Sequence, residues 1–365
     1  MNEETAMEHL ALEREGAFKL NKDGGTKMNE ESNMEHMTME RERLAAMERP
    51  MEFAPMMPGI RTGIMSRMGN SINSGRQKLE QWRDRPQIWD RIDQAVHDEA
   101  QRIKIASKFI PLYGPLGADV KQVPSDTIAP FQPNQPLEII ETDFTPMNEI
   151  WADFTLTQPQ VMDADSQMAG VTLALRSTNI LSQFFDLLVF QGNAAFNNPL
   201  FRNGRVFIRN QNVNITGLLS NQNIPRIPVQ PSPGQPTWGE ETFNAVAQGY
   251  SDLQSIGHYG PYALVLHTVP YADTYRSLPT TLIYPALRIK PLVTAGFYGT
   301  GTLPPNTGVL VSLGGNTMDL AVGIDPTTEF VQEEALGGGR FRYRVYERFA
   351  LRLKDDTGVV VLDFQ

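Results

Sequence analysis

The chain predicts an α+β fold, and three stretches of sequence carry that expectation. One is a long run of helical spacing, Asp165 to Gly192. The second is a set of strand-type segments around it, which follow helices without strict alternation. The third is a change of composition near Arg85, which divides an N-terminal extension from the part able to hold a core.

The long run reads DSQMAGVTLALRSTNILSQFFDLLVFQG. Met168, Val171, Leu175, Leu181, Phe185 and Leu188 recur at helical intervals and define one apolar face. Asp163 and Asp165 offer N-cap carboxylates ahead of it, and Gly192 follows its end. A helix of this length spans roughly 35–40 Å. The polar Arg176, Ser177, Thr178 and Asn179 interrupt any heptad, so the expected role is a spine on which a sheet packs.

Composition narrows the class of function. The 365 residues suffice for two domains with appendages, and the shares of 41% hydrophobic and 20% charged residues belong to a globular protein diluted by a less ordered part. There is no cysteine, which excludes disulfides, thiolate catalysis and Cys-ligated metals and fits a reducing cytoplasm. No run of about 18 apolar residues exists, so no membrane partner is expected. The acidic start MNEETAMEHL lacks the basic and apolar regions of a signal peptide. A net charge of −10 argues against nucleic acid as a partner, because such binding rests on phosphate neutralisation.

Residues 1–85 hold twelve of the sixteen methionines and few β-branched or aromatic residues, and are expected to be disordered or transiently helical. Within them MNEETAMEHLALERE returns as MNEESNMEHMTMERE, a period too short and too little repeated for a solenoid. Met7, His9, Met34, His36, Met37 and Met39 offer soft ligands that suit Cu(I). The same methionines also serve as adaptable apolar contacts, and no metal site is assigned. Pro50, Pro55 and Pro58, then Gly59 to Gly75, read as a linker.

Order is expected from Pro86. Ile88, Ile92, Val96 and Ile103 line one stripe of a helix reaching about Lys108, with Trp89 beside the stripe. A turn-rich passage at Pro111 to Val120 leads into a Pro-laden arm, and Leu137 to Leu156 alternates as long strands do. Past the spine, Gln191 to Pro236 is rich in Asn, Gln and Pro, with short strands expected at Val206 to Ile208 and Val213 to Ile215. Trp238 to Ser255 has helical spacing, and Tyr262 to Leu266 is a buried-strand run. Val269 to Phe297 reads as helix, loop and helix. Strands are expected at Gly308 to Ser312, Met318 to Val322, Phe341 to Leu353 and Val359 to Phe364, the last two closing as a hairpin through Asp355 to Gly358.

Searches for catalytic constellations yield none. There is no G-x-x-x-x-G-K-[ST], G-x-S-x-G or H-E-x-x-H, so no catalytic, cofactor-binding or metal residue is named. Gly337 to Gly339 precede a strand and read as a loop. His258 and His267 read as structural, Glu333-Glu334 and Asp355-Asp356 as solvated turn charge, and Asn214-Ile215-Thr216 as a formal sequon.

Five stretches in order carry a resemblance. LYGPLGADVKQVP from Leu112, the spine ending FFDLLVFQG, GHYGPYALVL from Gly257, GVLVSLGGNTMDLAVGID from Gly308 and RVYERFALRL from Arg344 resemble encapsulins, shell proteins with the capsid fold of tailed bacteriophages. The resemblance implies an α+β, tailed-phage major-capsid-like fold with spine helix, extended loop, peripheral domain and axial domain. It assigns residues 86–110 to an N-terminal helix and 111–145 to the extended loop that clasps a neighbour. It assigns 146–237 with 335–365 to the peripheral domain, and 238–334 to the axial domain. The spine carries Phe185-Asp186 where encapsulins usually have Glu-Asp. The segment from Gly192 to Gly217 exceeds the family norm, and residues 1–85 have no counterpart in the commonest members.

The implied function is a non-enzymatic shell. Copies would assemble into a cytoplasmic, icosahedral nanocompartment around a cargo protein of peroxidase or ferritin-like type, held by a targeting peptide. Ile88, Trp89, Ile92 and Val96 are the implied cargo-docking residues, and Leu278, Pro279, Thr280, Thr281 and Leu282 the implied pore lining. The alternatives are a phage major capsid protein whose extension acts as scaffold, or a shell that stores metal through the Met-rich extension.

Overall fold

Two five-stranded sheets and one long helix organise the described part of the chain. The computed structural model describes residues 86–129, 136–162, 167–209, 214–231, 237–276, 283–334 and 339–365. The readings placed on the extension, on Asp163 and Asp165, on Val213, on Gly337 and Gly338, and on the pore segment Leu278 to Leu282 lie outside these residues.

Helix α1 (Pro86–Ile103) and a single further turn, α2 (Ala106–Phe109), stand where one helix to Lys108 was expected. After them come β1 (Leu112–Tyr113), β2 (Gln122–Pro124), β3 (Phe144–Pro146), β4 (Asn148–Thr157), the short α3 (Gln158–Met162) and the spine helix α4 (Gln167–Gln191). The spine ends at Gly192, as its sequence suggests. Its φ of +56° is one that favours glycine, and a Cβ there would lie 2.4 Å from the Ile215 carbonyl oxygen.

The spine is not a simple amphipathic helix. From Leu181 to Phe190 every residue except Gln183 is buried, whereas Met168, expected on the apolar face, is exposed. The row that packs in the first half is small instead: Gly170, Ala174, Ser177 and Thr178. Small side chains let neighbouring elements approach closely there, and the Thr178 hydroxyl is satisfied by the Ala174 carbonyl at 2.8 Å.

Downstream are α5 (Pro199–Arg202), β5 (Phe207–Ile208), β6 (Arg226–Val229), α6 (Gly239–Ser255), β7 (Tyr262–His267), α7 (Thr268–Asp273) and α8 (Pro285–Ile289). Strands β8 (Gly296–Thr300), β9 (Thr307–Ser312), β10 (Met318–Glu334), β11 (Arg340–Leu353) and β12 (Val359–Phe364) complete the chain. Strand β8 occupies part of a stretch read as helical. Ile215 is buried without belonging to a strand.

The sheets are ordered β1-β10-β11-β4-β5 and β6-β12-β9-β7-β8. This corrects the expected closing hairpin. β11 pairs with β10 and β4, while β12 pairs with β9 and β6 in the other sheet. The hairpin is β10–β11, so Glu333 and Glu334 are ladder residues opposite Phe341 and Arg340 rather than turn charges. Residues 318–334 thus stand in one sheet with β4 and β11, and residues 359–364 in the other with β7 and β9.

The second sheet is buried on both faces. Ala263, Val265, Val309, Val311, Val359 and Val361 join the core around the spine, while Leu264, Leu266, Leu310, Val360 and Leu362 join a second core under α6. Continuous apolar runs are what two buried faces require.

Candidate assembly and docking surfaces

The α1 stripe is the first candidate surface. Val96 is fully buried, Trp89 and Ile92 are 2% exposed and Ile88 is 7% exposed. The Trp89 ring lies 5.9 Å from that of Tyr343, which stacks on Phe154 at 5.4 Å. The four implied docking residues therefore sit between the spine helix and the first sheet. None presents free surface in this chain, and the outward face of α1 is polar, with Asp90, Arg91, Gln94, Asp98 and Gln101.

At the break between α1 and α2 lies a buried ionic cluster. Asp186 of the spine accepts hydrogen bonds from the backbone N–H of Ile105 (2.8 Å) and of Ala106 (3.0 Å). It thereby serves, from another helix, amides at a helix start that have no partner within their own helix. Lys104 donates to Glu347 of β11 and lies 4.1 Å from the centroid of the Phe185 ring. Lys104, Asp186 and Glu347 are 7%, 1% and 2% exposed. This cluster ties α1, the spine and β11 together. Of its three ionic members the sequence singles out Asp186 alone, as the second half of the pair Phe185-Asp186, in which Phe185 departs from the usual Glu-Asp.

Burial pushes the Asp186 carboxyl up to about 7, against the opposing pull of the two backbone N–H groups and Lys104. Burial likewise raises Glu347, with Lys104 opposing it and Asp325 adding to it. A carboxyl with a folded pKa above its unfolded value of 3.8 contributes stability that is complete below about pH 4 and lost as pH rises through about 7. Stability is expected to fall over that interval, by at most roughly 1.4 kcal/mol per pH unit for one group. Urea unfolding at a series of pH values, parent against Asp186→Asn, isolates this contribution. A parent that gains stability relative to the variant between pH 4 and 7 would contradict it.

The second candidate surface is the arm between β1 and β4. Two arginines of β11 pin its base. Arg348 donates to the Ala118 carbonyl and to Glu149, and Arg352 to the Pro124 carbonyl (3.1 Å), to Asp126 (2.6 Å) and to Asp319 (2.6 Å). These belong to a ladder on the outer face of the first sheet, where Arg344 also pairs with Asp153 at 3.0 Å. Farther along, Leu137, Ile139 and Phe144 are 74%, 57% and 48% exposed. Apolar side chains this open on an arm with little core of its own call for a covering surface.

A model of the family described as encapsulating protein for peroxidase matches residues 85–350. The chain belongs to this encapsulin family. It is a shell protein of that kind, with the capsid-like α+β fold expected from its sequence. It is 28% identical over 295 residues to the type 1 encapsulin shell protein EncA of Myxococcus xanthus, covering 76% of this chain and 93% of that protein. It is also 24% identical over 288 residues to a diheme-cytochrome-encapsulin shell fusion protein of Kuenenia stuttgartiensis, covering 75% of this chain and 72% of that protein. The virus-like particle from Pyrococcus furiosus aligns with a TM-score of 0.53 and 17% identity over 75% of this chain and 99% of that one. Residues 1–84 lie outside the family match, so the extension is an addition to an encapsulin body.

His258, read as structural, bonds Thr357 at 2.6 Å and approaches Asp355 at 3.7 Å, tying the turn before β7 to the turn before β12. His267 stays a partly buried histidine whose pKa burial lowers. No group of three or more metal-ligating side chains is found among the described residues, and none of their helices is long and apolar enough to cross a membrane.

Proposed function

We propose that copies of this chain close into an icosahedral nanocompartment, free of membrane and nucleic acid in the cytoplasm, which encloses a peroxidase or ferritin-like cargo. The chain's contribution is structural rather than catalytic. What carries the proposal is the arm, a segment rigidly pinned at its base that exposes Leu137, Ile139 and Phe144 where another copy can cover them. The acidic balance of −10 supports a protein cargo over a packaged genome.

Cargo is held by a targeting peptide beside α1. Because Ile88, Trp89, Ile92 and Val96 are buried, their part is to seat the helix, and the peptide meets the surface around it. Many such modest contacts on one particle sum through avidity. Residues 1–85 add to the compartment without holding it together.

Light scattering on purified protein is the test. A megadalton particle with a protein-type absorbance spectrum is expected, both for the full chain and after removal of residues 1–85. A mass near that of one or two chains would refute the shell, and a nucleic-acid spectrum would favour a genome capsid.

A further inference from the structure

The core-facing row of β4 ends in a polar residue. Leu156, Phe154, Ala152 and Ile150 follow one another along that face, and the next member is Asn148. Asn148 stands opposite Phe349 of β11 and is 7% exposed, yet its side-chain amide makes no hydrogen bond to any described residue. Groups so deeply placed are nearly always satisfied by a partner. The Asn148 amide opens instead on a pocket of about 210 Å³.

Three segments wall this pocket. β11 gives it an apolar floor through Leu351 and Leu353. The base of the arm adds the Phe144 ring and a polar row that is already held in place. Ser125 and Thr145 share a hydrogen bond between their hydroxyls at 2.8 Å, and the Thr127 hydroxyl donates to Asp143 at 3.0 Å. The third wall is Asn214 to Thr216, part of the stretch that is longer than in most encapsulins. Asn193 fastens it, donating from Nδ2 to Asn214 and accepting from the Ile215 N–H at 2.9 Å.

The chemistry of the walls selects a class of ligand. They carry one carboxylate and no lysine, arginine or histidine, which turns away phosphates and other anions. A lone carboxylate among hydroxyls and amides is too weak a ligand set for a divalent cation. What the pocket offers is a carboxylate acceptor and a ring of hydroxyl and amide groups that both donate and accept. A polyol matches that set, with hydroxyls that donate to Asp143 and exchange bonds with Asn148, Asn214 and Thr216. Its C–H surface suits Leu351 and Leu353. The volume equals that of about seven waters, which is the size of one monosaccharide.

We infer that this pocket binds a neutral polyol of monosaccharide size, bridging the base of the arm to the body of the chain. The inference goes beyond the shell reading and needs no second copy.

Saturation-transfer NMR on the purified full-length protein tests it, with D-glucose, D-mannose and D-ribose as probes. At least one of them is expected to bind with a dissociation constant of about a millimolar, as suits so small a ligand. Asp143→Asn removes the charge while keeping an acceptor for Thr127. Asn148→Leu continues the apolar row of β4, so the fold is expected to hold, with a thermal midpoint near that of the parent. Each variant should weaken binding at least about tenfold. Absence of transfer to all three sugars overturns the inference. So does equal transfer to their L forms, or binding that neither variant weakens.

Discussion

Replacing Trp89 by alanine is expected to destabilise the chain by about 3–5 kcal/mol, lowering its thermal midpoint and its yield of particles together. The indole is 2% exposed and stands over Tyr343, which also meets Phe154 and Phe330. Truncation would empty a space walled by a helix and two strands, which cannot all move inward to refill it. Calorimetry alongside quantified cargo per particle separates the possibilities. Normal stability with selective loss of cargo would make Trp89 a docking anchor after all, and would mean that the helix lifts from the sheet in the assembled shell.

An effect of similar size is expected from Glu347→Ala. The substitution leaves the Lys104 ammonium buried without its carboxylate, and breaking a buried pair from one side costs about 3–5 kcal/mol. Replacing both partners with apolar side chains of similar volume, Lys104→Met with Glu347→Leu, should restore most of that loss, because neither charge is then stranded. Denaturant midpoints for the parent, the two single variants and the double variant form a cycle that measures the pair. A double variant as unstable as Glu347→Ala would show that the apolar pair packs too poorly there to replace the ionic one.

How much of the fold and its surfaces is legible in the sequence depends on how local each signal is. Gly192, the buried run Tyr262 to Leu266 and the stripe on α1 were readable because spacing alone encodes them. The side on which the Trp89 ring lies was not, since its cover comes from Tyr343, far along the chain. Val359 to Phe364 carries a usable sign of its place in a sheet. Six nearly unbroken apolar residues demand burial on both faces, which fits a strand inside a sheet better than the second arm of an edge hairpin. The Asp186 cluster was legible only as a charge in an apolar helix, because both of its ionic neighbours come from distant segments.

The arginines at the arm's base bear on curvature. Arg352 is 3% exposed and held by carboxylates on two segments, so dissolved salt screens it weakly, whereas Glu138 and Glu141 farther along the arm are exposed and screened readily. The direction in which the arm leaves the body, and with it the bend between adjoining copies, then hardly responds to ionic strength. The grip between copies does. A closed particle built this way would grow scarcer in brine without changing its radius.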